Sequence, residues 1–240
     1  MNTNCLSHWF QILRDAGLPV PKTEIVTMPP EESDDFYRVF DGEEPGALFD
    51  AFQSRLLEAV TRIGTPCFLR TGETSNKHSW KTTCYLADVT KIHQHVFNIV
   101  EFSECSGMPG LPWDVWAVRE LLPTMPIGTC PRYGDMPLNR EFRYFVHEGG
   151  IVCEHGYWPL EVIRDGGVED SVSVFKSLIH PPPPESVRDI VRRAARALGG
   201  SWSIDMLETA RGWYLTDCAL ADQSLHWDGC PNEHLFAGGL

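Results

Sequence analysis

The segment 138–146 (LNREFRYFV) places charged side chains inside a strongly strand-forming sequence. Its aromatic and valine residues favour a pleated, half-buried surface, and the segment 148–150 (EGG) predicts a turn into a second strand. Alternation along the strand puts Glu141 and Arg143 on one face and Arg140 on the other. A buried arginine costs free energy unless it is paired or contacts an anion. This hairpin is therefore either a set of structural ion pairs or part of a site for phosphate or carboxylate.

A second charged hairpin is predicted over residues 202–218 (WSIDMLETARGWYLTDC). If its turn centres on Arg211, antiparallel pairing sets Asp205 directly opposite Asp217, with Cβ atoms about 5 Å apart. A divalent cation would relieve their repulsion, since Mg²⁺ binds one or two carboxylates and completes its shell with water and substrate phosphates. Asp222, just beyond the strand, is a candidate third ligand. A turn one residue shorter would instead put the two aspartates on opposite faces, as ordinary surface charges.

The segment 67–80 (CFLRTGETSNKHSW) changes midway from an apolar strand to a polar loop. The loop carries Gly72, Ser75 and Lys77, and such a loop can approach a phosphate. The Walker pattern G-x-x-x-x-G-K-S/T is absent, so a solvated hairpin loop is the alternative interpretation.

Hydrophobic periodicity predicts the remaining elements. Helices are expected over residues 5–16, 46–63, 89–100 with Asp88 as the N-cap, and 185–198 ended by Gly199. Extended segments are expected at 22–27 and 113–123. The acidic stretch 29–35 predicts a solvated loop, and the stretch 124–137, rich in Pro and Gly, predicts a connecting loop.

The charge of the chain limits its partners. Lys and Arg total 20 against 33 Asp and Glu, a formal net charge of -13 at pH 7. This balance argues against nucleic acid or an anionic membrane surface as the main partner, so any phosphate binding must be local. No run approaches the ~18 to 20 apolar residues of a membrane span, and residues 1–5 lack the regions of a signal peptide. The cytoplasm is the expected location.

The eight cysteines are scattered, at positions 5, 67, 84, 105, 130, 153, 218 and 230. They form no Cys-x-x-Cys pair and show no metal-ligand spacing, so free and mostly buried thiols are expected. The pair His93-x-His95 and the aromatic-flanked His226 have no cysteine pair or second histidine pair to accompany them. Zinc is therefore not expected.

These segments, in this order, resemble the ATP-grasp superfamily over roughly residues 64 to 226. The similarity is greatest to a compact clade found in bacteria and phages, named for its pair of arginines and single lysine, and the eukaryotic cell-division-cycle 123 family is a more distant relative. The matching pieces are the strand and loop 68–77, the hinge 118–123 (VRELLP), the central strand 140–146, and the metal-binding end formed by 204–205, 215–217 and 222–224.

The resemblance implies an α+β ATP-grasp fold, in which two lobes with antiparallel sheets clamp a nucleotide. It divides the chain into a helical and extended N-terminal portion, residues 1–64, and an ATP-grasp domain, residues 65–240. Lobe one of that domain would cover about 65–121 and lobe two about 122–240.

The resemblance also assigns roles to individual residues. Arg70 and Lys77 would bind the ATP phosphates, and Glu120 with the Leu122 backbone would bind the adenine edge. Arg143, with Arg140, would hold the γ-phosphate or the acyl-phosphate formed from it, which makes Lys77, Arg140 and Arg143 the expected catalytic residues. Asp205, Asp217 and Asp222 would hold one or two Mg²⁺ ions that bridge the phosphates.

Two positions depart from the family pattern. Many ATP-grasp enzymes carry Asn or Glu two residues after the last metal carboxylate, where this chain has Ala219. Close relatives often carry Glu where this chain has Asp217, which shortens the reach by one methylene. A second metal ion would then depend on Asp222.

Three hypotheses about function follow. The first is an ATP- and Mg²⁺-dependent carboxylate-amine ligase that forms an amide or peptide bond through an acyl-phosphate, acting on a small-molecule or peptide carboxylate and an amine, with a protein as a further candidate substrate. The second is an ATP-binding assembly factor or chaperone of the cell-division-cycle 123 type, with little ligase activity. The third is an α+β domain in which Glu141 and Arg143 form a structural ion pair and no ligand binds.

Overall fold

Two four-stranded antiparallel sheets organise the chain, one in each of two units. The structure is a computed structural model that describes residues 2–40, 42–44, 46–107 and 110–236. One unit is residues 22–121, and the other combines residues 1–21 with 122–240. The expected division separated 1–64 from the remainder, whereas here residues 22–64 belong with 65–121 and residues 1–21 with 122–240.

The N-terminal helix α1 spans Leu6–Asp15, as its periodicity predicts. It buries one apolar face, made of Leu6, Trp9, Phe10 and Leu13. In the same unit it packs against the later helix 185–198 and strand 212–220. The chain leaves this helix at Gly17, whose φ of +65° is the left-handed conformation that suits glycine at a helix end.

The unit 22–121 places helices against a sheet of order β1-β4-β2-β3. Its elements are β1 (Thr23–Thr27), α2 (Pro30–Phe40), α3 (Ala47–Ile63), β2 (Cys67–Thr71), β3 (Tyr85–Leu86), α4 (Ile92–Cys105) and β4 (Val115–Glu120). The core joins Phe49, Phe52 and Leu56 of α3 to Trp116 of β4, and all four are fully buried. No helix in the described ranges has both the length and the apolar character needed to cross a bilayer.

The expectation of a solvated acidic loop at residues 29–35 is wrong, because α2 begins at Pro30. Proline suits the first turn of a helix, where Glu31 also interacts favourably with the positive end of the helix dipole. Phe36 is fully buried, with its ring centroid 4.7 Å from that of Phe49. Tertiary burial of one aromatic side chain therefore stabilises a helix whose polar composition had suggested a loop.

The second unit contains the other large sheet, of order β10-β9-β7-β8. Its elements are β5 (Gly128–Cys130), β6 (Met136–Leu138), β7 (Glu141–His147), β8 (Gly150–Gly156), α5 (Leu160–Asp165), α6 (Ser171–Ile179), α7 (Glu185–Leu198), β9 (Ser201–Thr209) and β10 (Gly212–Leu220). The stretch 124–137 is not only a connecting loop, since β5 and β6 pair within and just beyond it. Helix α7 packs on one face of the large sheet, where Arg188 pairs with Glu154 of β8 at 2.8 Å.

The hairpin β9–β10 has the shorter of the two turns considered from sequence. Thr209 pairs with Gly212, so the turn is Ala210-Arg211 and does not centre on Arg211. A bulge between Leu215 and Asp217 adds one residue to β10, and Asp217 nevertheless pairs with Asp205. The predicted pairing of the two aspartates is confirmed, but a bulge produces it and not the turn.

Candidate functional site

A row of polar side chains crosses the sheet of the second unit, one from each strand. Asp217 of β10 pairs with Asp205 of β9, Asp205 with Arg143 of β7, and Arg143 with His155 of β8. Directly paired residues of antiparallel strands project from the same face. Asp217, Asp205 and Arg143, called here the charged row, therefore lie side by side on one face. Helix α7 packs on the opposite face, where its Arg188 pairs with Glu154 of β8.

Arg143 and Asp205 form a two-point ion pair. Arg143 Nε lies 2.8 Å from Asp205 Oδ1 and Arg143 Nη2 lies 2.8 Å from Asp205 Oδ2. Their side chains are 15% and 4% exposed. Burial by itself lowers the pKa of Arg143, but the charges of Asp205 and Asp217 outweigh burial and raise that pKa above its ordinary value. The arginine is therefore a permanent cation held in one orientation by a bidentate carboxylate.

The charged row carries two carboxylates and one guanidinium. Asp217 is partly buried and accepts the Cys218 N–H at 3.1 Å. Asp222 is exposed, in the short 3₁₀ turn Ala221–Gln223 after β10. The donor set of Asp205, Asp217 and Asp222 is all oxygen, which fits Mg²⁺ and not a soft metal.

Arg140 lies just before β7 and is bound by other groups. Its Nη1 lies 2.8 Å from Glu208 Oε2, and its Nη2 donates to the Pro181 carbonyl. The guanidinium carbon is 6.0 Å from the ring centroid of Phe142 and 5.9 Å from that of Trp213. The two Nη atoms of Arg140 are therefore occupied by structural partners, whereas Arg143 lies in the charged row with Asp205 and Asp217.

In the unit 22–121, the cations Arg70 and Lys77 both act on Cys84. Burial raises the pKa of the Cys84 thiol to about 12, and the positive charges of Lys77 and Arg70 oppose that rise. Arg70 is a buried residue of β2 and donates to the Thr71 carbonyl at 3.0 Å. Lys77 begins a 3₁₀ helix, Lys77–Thr82, directly after the polar loop. Two cations separated in sequence thus influence the pKa of the same thiol.

The polar loop after β2 is held by its own hydrogen bonds. Thr71 Oγ1 accepts from the Glu73 N–H at 3.2 Å and from the Thr74 N–H at 3.0 Å. Thr83 Oγ1 donates to the Asn76 carbonyl at 2.8 Å. The loop that carries Lys77 is therefore an ordered turn at the end of a strand.

Glu120 and Leu122 flank the point in the sequence at which the chain passes from one unit to the other. Glu120 ends β4, and its carboxylate accepts the Lys22 N–H at 2.9 Å. The Leu122 carbonyl accepts the Thr124 N–H at 2.9 Å, and its side chain is buried.

A further cluster was missed from sequence. Two cysteines and two histidines bring their possible metal-ligand atoms together, all within 4.8 Å of one another: Cys153, His155, His226 and Cys230. Among the described residues, this is the group of His, Cys, Asp or Glu side chains that could hold a metal ion. The scattered cysteines had given no expectation of such an arrangement. Two short spacings, Cys-x-His at 153–155 and His-x-x-x-Cys at 226–230, were the available signal.

The three aspartates assigned to magnesium do not form such a set among the described residues. His93 and His95, considered together for zinc, bond elsewhere: His93 Nδ1 lies 2.6 Å from Gln53 Nε2, and His95 Nδ1 lies 2.5 Å from the Thr83 carbonyl.

Comparison with known proteins gives matches at the level of structure. No family model matches the sequence, and no curated protein matches it. A RimK domain ATP-grasp protein from Sphaerobacter thermophilus DSM 20745 is similar over 90% of this chain and 58% of its own, with TM-score 0.50 and 12% identity. C-terminally truncated Cdc123 from Schizosaccharomyces pombe is similar over 91% of this chain and 83% of its own, with TM-score 0.54 and 12% identity.

These similarities identify the fold and no more, because the identities are low. The chain has the ATP-grasp fold, an α+β architecture with antiparallel sheets, as the resemblance implied. It spans 58% of the length of the RimK domain protein.

Proposed function

We propose that this protein binds ATP together with Mg²⁺ and uses ATP to join a carboxylate to an amine. The observation that carries this proposal is the charged row on an ATP-grasp fold, in which an arginine and two aspartates lie on one sheet face. A structural ion pair with Arg143 requires one carboxylate, and the strand register brings two to the same face. A complex of Mg²⁺ with a nucleotide would bring a cation for the carboxylates and a phosphate for the arginine.

In this proposal the unit 22–121 contributes Arg70 and Lys77 to the triphosphate. The charges of both cations lower the pKa of Cys84, and Lys77 follows an ordered turn. Glu120 and the Leu122 backbone bind the adenine edge, since a neutral purine needs hydrogen-bond donors and acceptors more than charge. The same proposal includes the assignment of this protein to the compact ATP-grasp clade of bacteria and phages.

Arg143 is proposed to hold the γ-phosphate, with Arg140 in a supporting role because Glu208 already binds it. Asp205, Asp217 and Asp222 would hold Mg²⁺, which when bound neutralises charge on the transferring phosphoryl group. Arg143 keeps its orientation through Asp205 and needs little reorganisation when a phosphate arrives. Preorganised charges of this kind stabilise the transition state of phosphoryl transfer.

The proposed reaction has two steps. A substrate carboxylate oxygen attacks the γ-phosphorus of ATP, the bond to the β-phosphate oxygen breaks, and ADP leaves. An amine then attacks the acyl carbon, phosphate leaves with the electrons of its C–O bond, and the amine loses a proton to solvent. Water must be excluded from the acyl-phosphate, because hydrolysis would release the carboxylate unchanged.

Isothermal titration of ATP, with and without Mg²⁺, tests the nucleotide site. Wild type is expected to bind ATP in a Mg²⁺-dependent manner, and Lys77→Ala and Asp217→Asn are each expected to weaken binding at least tenfold, about 1.4 kcal/mol. Matched controls are Lys91→Ala and Asp165→Asn, which alter exposed residues of the same two units. Absence of binding by wild type, or equal binding by all four variants, would remove the proposal.

ADP release across a panel of carboxylates and amines then tests the ligase assignment. A second candidate, an ATP-binding assembly factor with little turnover, is favoured by one observation: Cdc123 is matched over 83% of its length, against 58% for the RimK domain protein. Ala219, in place of a metal-binding side chain, points the same way. Tight ATP binding without ADP release on any substrate pair, with a protein that co-purifies, would select this second candidate.

A further inference from the structure

The cluster Cys153, His155, His226 and Cys230 lies outside the charged row and takes no part in the proposed function. We propose that these four side chains form a structural zinc site that fastens the C-terminal segment, residues 224–236, to the large sheet. The inference uses only residues of one unit and is independent of ATP binding.

Strand β8 presents two of the ligands through its alternation. Cys153 and His155 are two positions apart in β8, so both side chains leave the strand on the same face. Glu154, the residue separating them, is turned the other way and pairs with Arg188 of α7. The pair of ligands therefore points away from α7, toward the face that the C-terminal segment crosses.

Packing brings the C-terminal segment to the same place without a metal. The Asn232 amide donates to the Val152 carbonyl at 3.2 Å, and the Phe236 ring centroid lies 5.3 Å from that of Phe145. The His226 ring also packs edge-on to Phe145, at 4.2 Å between centroids. Contacts of the C-terminal segment with the sheet therefore hold His226 and Cys230 in place.

The separations within the cluster suit tetrahedral coordination. Cys153 Sγ lies 3.2 Å from His226 Nε2. With Zn–S of about 2.3 Å and Zn–N of about 2.0–2.1 Å, a tetrahedral site separates sulfur and nitrogen ligands by about 3.5 Å. His155 Nε2 is buried and has no hydrogen-bond partner among the described residues, although a buried nitrogen of this kind needs one. A metal ion at the centre would satisfy it.

The chemistry of the ligands selects the metal and its role. Two thiolates and two imidazoles form the soft, tetrahedral set typical of Zn²⁺, and they exclude Mg²⁺. The two thiolate charges balance the charge of the ion, which suits its aromatic surroundings of Phe145, Trp227 and Phe236. Four protein ligands leave no position for water or substrate, so the site is structural and not catalytic.

The first test measures zinc in the full-length protein, purified without a polyhistidine tag and without chelator. Elemental analysis is expected to give about one zinc per chain. Cys153→Ser and His226→Ala are expected to lose most of it, while Cys105→Ser, which changes an exposed thiol, should retain it. Wild type without zinc, or variants with unchanged zinc, would overturn the proposal.

A second measurement does not depend on whether the variants fold. Wild-type protein stripped of metal is titrated with Co²⁺, and a 1:1 complex is expected with the intense visible absorption of four-coordinate cobalt and a thiolate-to-metal band. A weak, octahedral-type spectrum would contradict the site. Peptide mapping of the untreated protein is expected to find Cys153 and Cys230 as thiols, and a disulfide joining them would also overturn it.

Hydrogen exchange reports the structural role. Removal of the metal from wild type is expected to speed amide exchange in residues 224–236 while α3, in the other unit, stays unchanged. Unaltered exchange in this segment would show that the metal does not fasten it. Since these readouts need no nucleotide, a failed ATP titration and a failed zinc measurement are distinguishable.

Discussion

At the scale of single residues, the pair Arg143 and Asp205 is the most consequential contact of the second unit. Both charges are largely removed from water, and each satisfies the other through two hydrogen bonds. A buried pair of this kind adds little net stability over a hydrophobic pair, yet the loss of one partner leaves an uncompensated buried charge. The pair is therefore expected to orient Arg143 more than to stabilise the fold.

This view predicts the outcome of a double-mutant cycle. Without nucleotide, Arg143→Met and Asp205→Leu are each expected to lower the free energy of unfolding by about 3–5 kcal/mol, because each removes the hydrogen-bonded partner of a buried charge. The double variant should lose clearly less than the sum of the two. Urea denaturation followed by circular dichroism measures all four proteins.

The matched control is Arg14→Met in the same unit. Arg14 and Asp15 form an exposed pair at 3.0 Å, with side chains 53% and 68% exposed, so its loss should change stability by less than about 1 kcal/mol. Additive losses in the buried cycle would contradict the proposed coupling of Arg143 with Asp205.

At the scale of elements, helix α2 depends on the tertiary contacts of its buried face. Phe36 contacts Phe49, and Glu32 forms two hydrogen bonds with Arg55 at 2.9 and 2.5 Å. The rest of the helix is rich in acidic and polar residues, which by themselves give a weak helix in water. Helix α2 should therefore respond strongly to a change in its buried face and weakly elsewhere.

Phe36→Ala is expected to lower the free energy of unfolding of the unit 22–121 by about 3–5 kcal/mol, because it opens a cavity in a fully buried site. Asp34→Ala, on the exposed side of the same helix, should change it by no more than about 0.5 kcal/mol. Denaturant unfolding of both variants provides the comparison. Similar losses in the two would show that α2 is not anchored through Phe36.

The bulge in β10 is a second feature at the scale of elements, and it changes which residue lies opposite Asp205. Hairpin pairing from the Ala210-Arg211 turn would set Thr216 opposite Asp205, and the extra residue moves Asp217 into that place. A bulge that re-aims a side chain in this way is typical of functional positions in sheets. Because of the bulge, Asp217 lies on the same face as Asp205 even though the two-residue turn alone would put it on the opposite face.

At the scale of the whole molecule, the unit 22–121 is continuous in sequence and contains its own sheet and core. The other unit needs both chain segments, because α1 packs on α7 and β10. A fragment of residues 22–121 is therefore expected to unfold cooperatively on heating, as an independent domain does. A fragment of residues 122–240 should be less stable than the same fragment joined by a linker to residues 1–21.

Thermal melts of the three fragments, followed by circular dichroism, test this expectation. A non-cooperative melt for residues 22–121 would contradict its independence. Equal melting temperatures for the two versions of the other unit would show that α1 contributes nothing to it.

The sequence by itself determined the features that depend on local periodicity. The helical spacing in α1 and α3, and the alternation that puts Glu141 and Arg143 on one face of β7, follow from the geometry of helices and strands, so neighbouring residues sufficed to predict them. The order of these segments also indicated the ATP-grasp fold. The ATP- and magnesium-binding roles given to Arg70, Lys77, Arg143 and Asp217 stay predictions.

Only the tertiary structure decided the features that join distant parts of the chain. Helix α2 forms because Phe36 reaches a core made elsewhere, and Asp205 meets Asp217 because a bulge corrects the register. The cluster of Cys153 with His226 needs a C-terminal segment folded back across β8. Each depends on packing between residues far apart in sequence, and local propensity carries no record of such contacts.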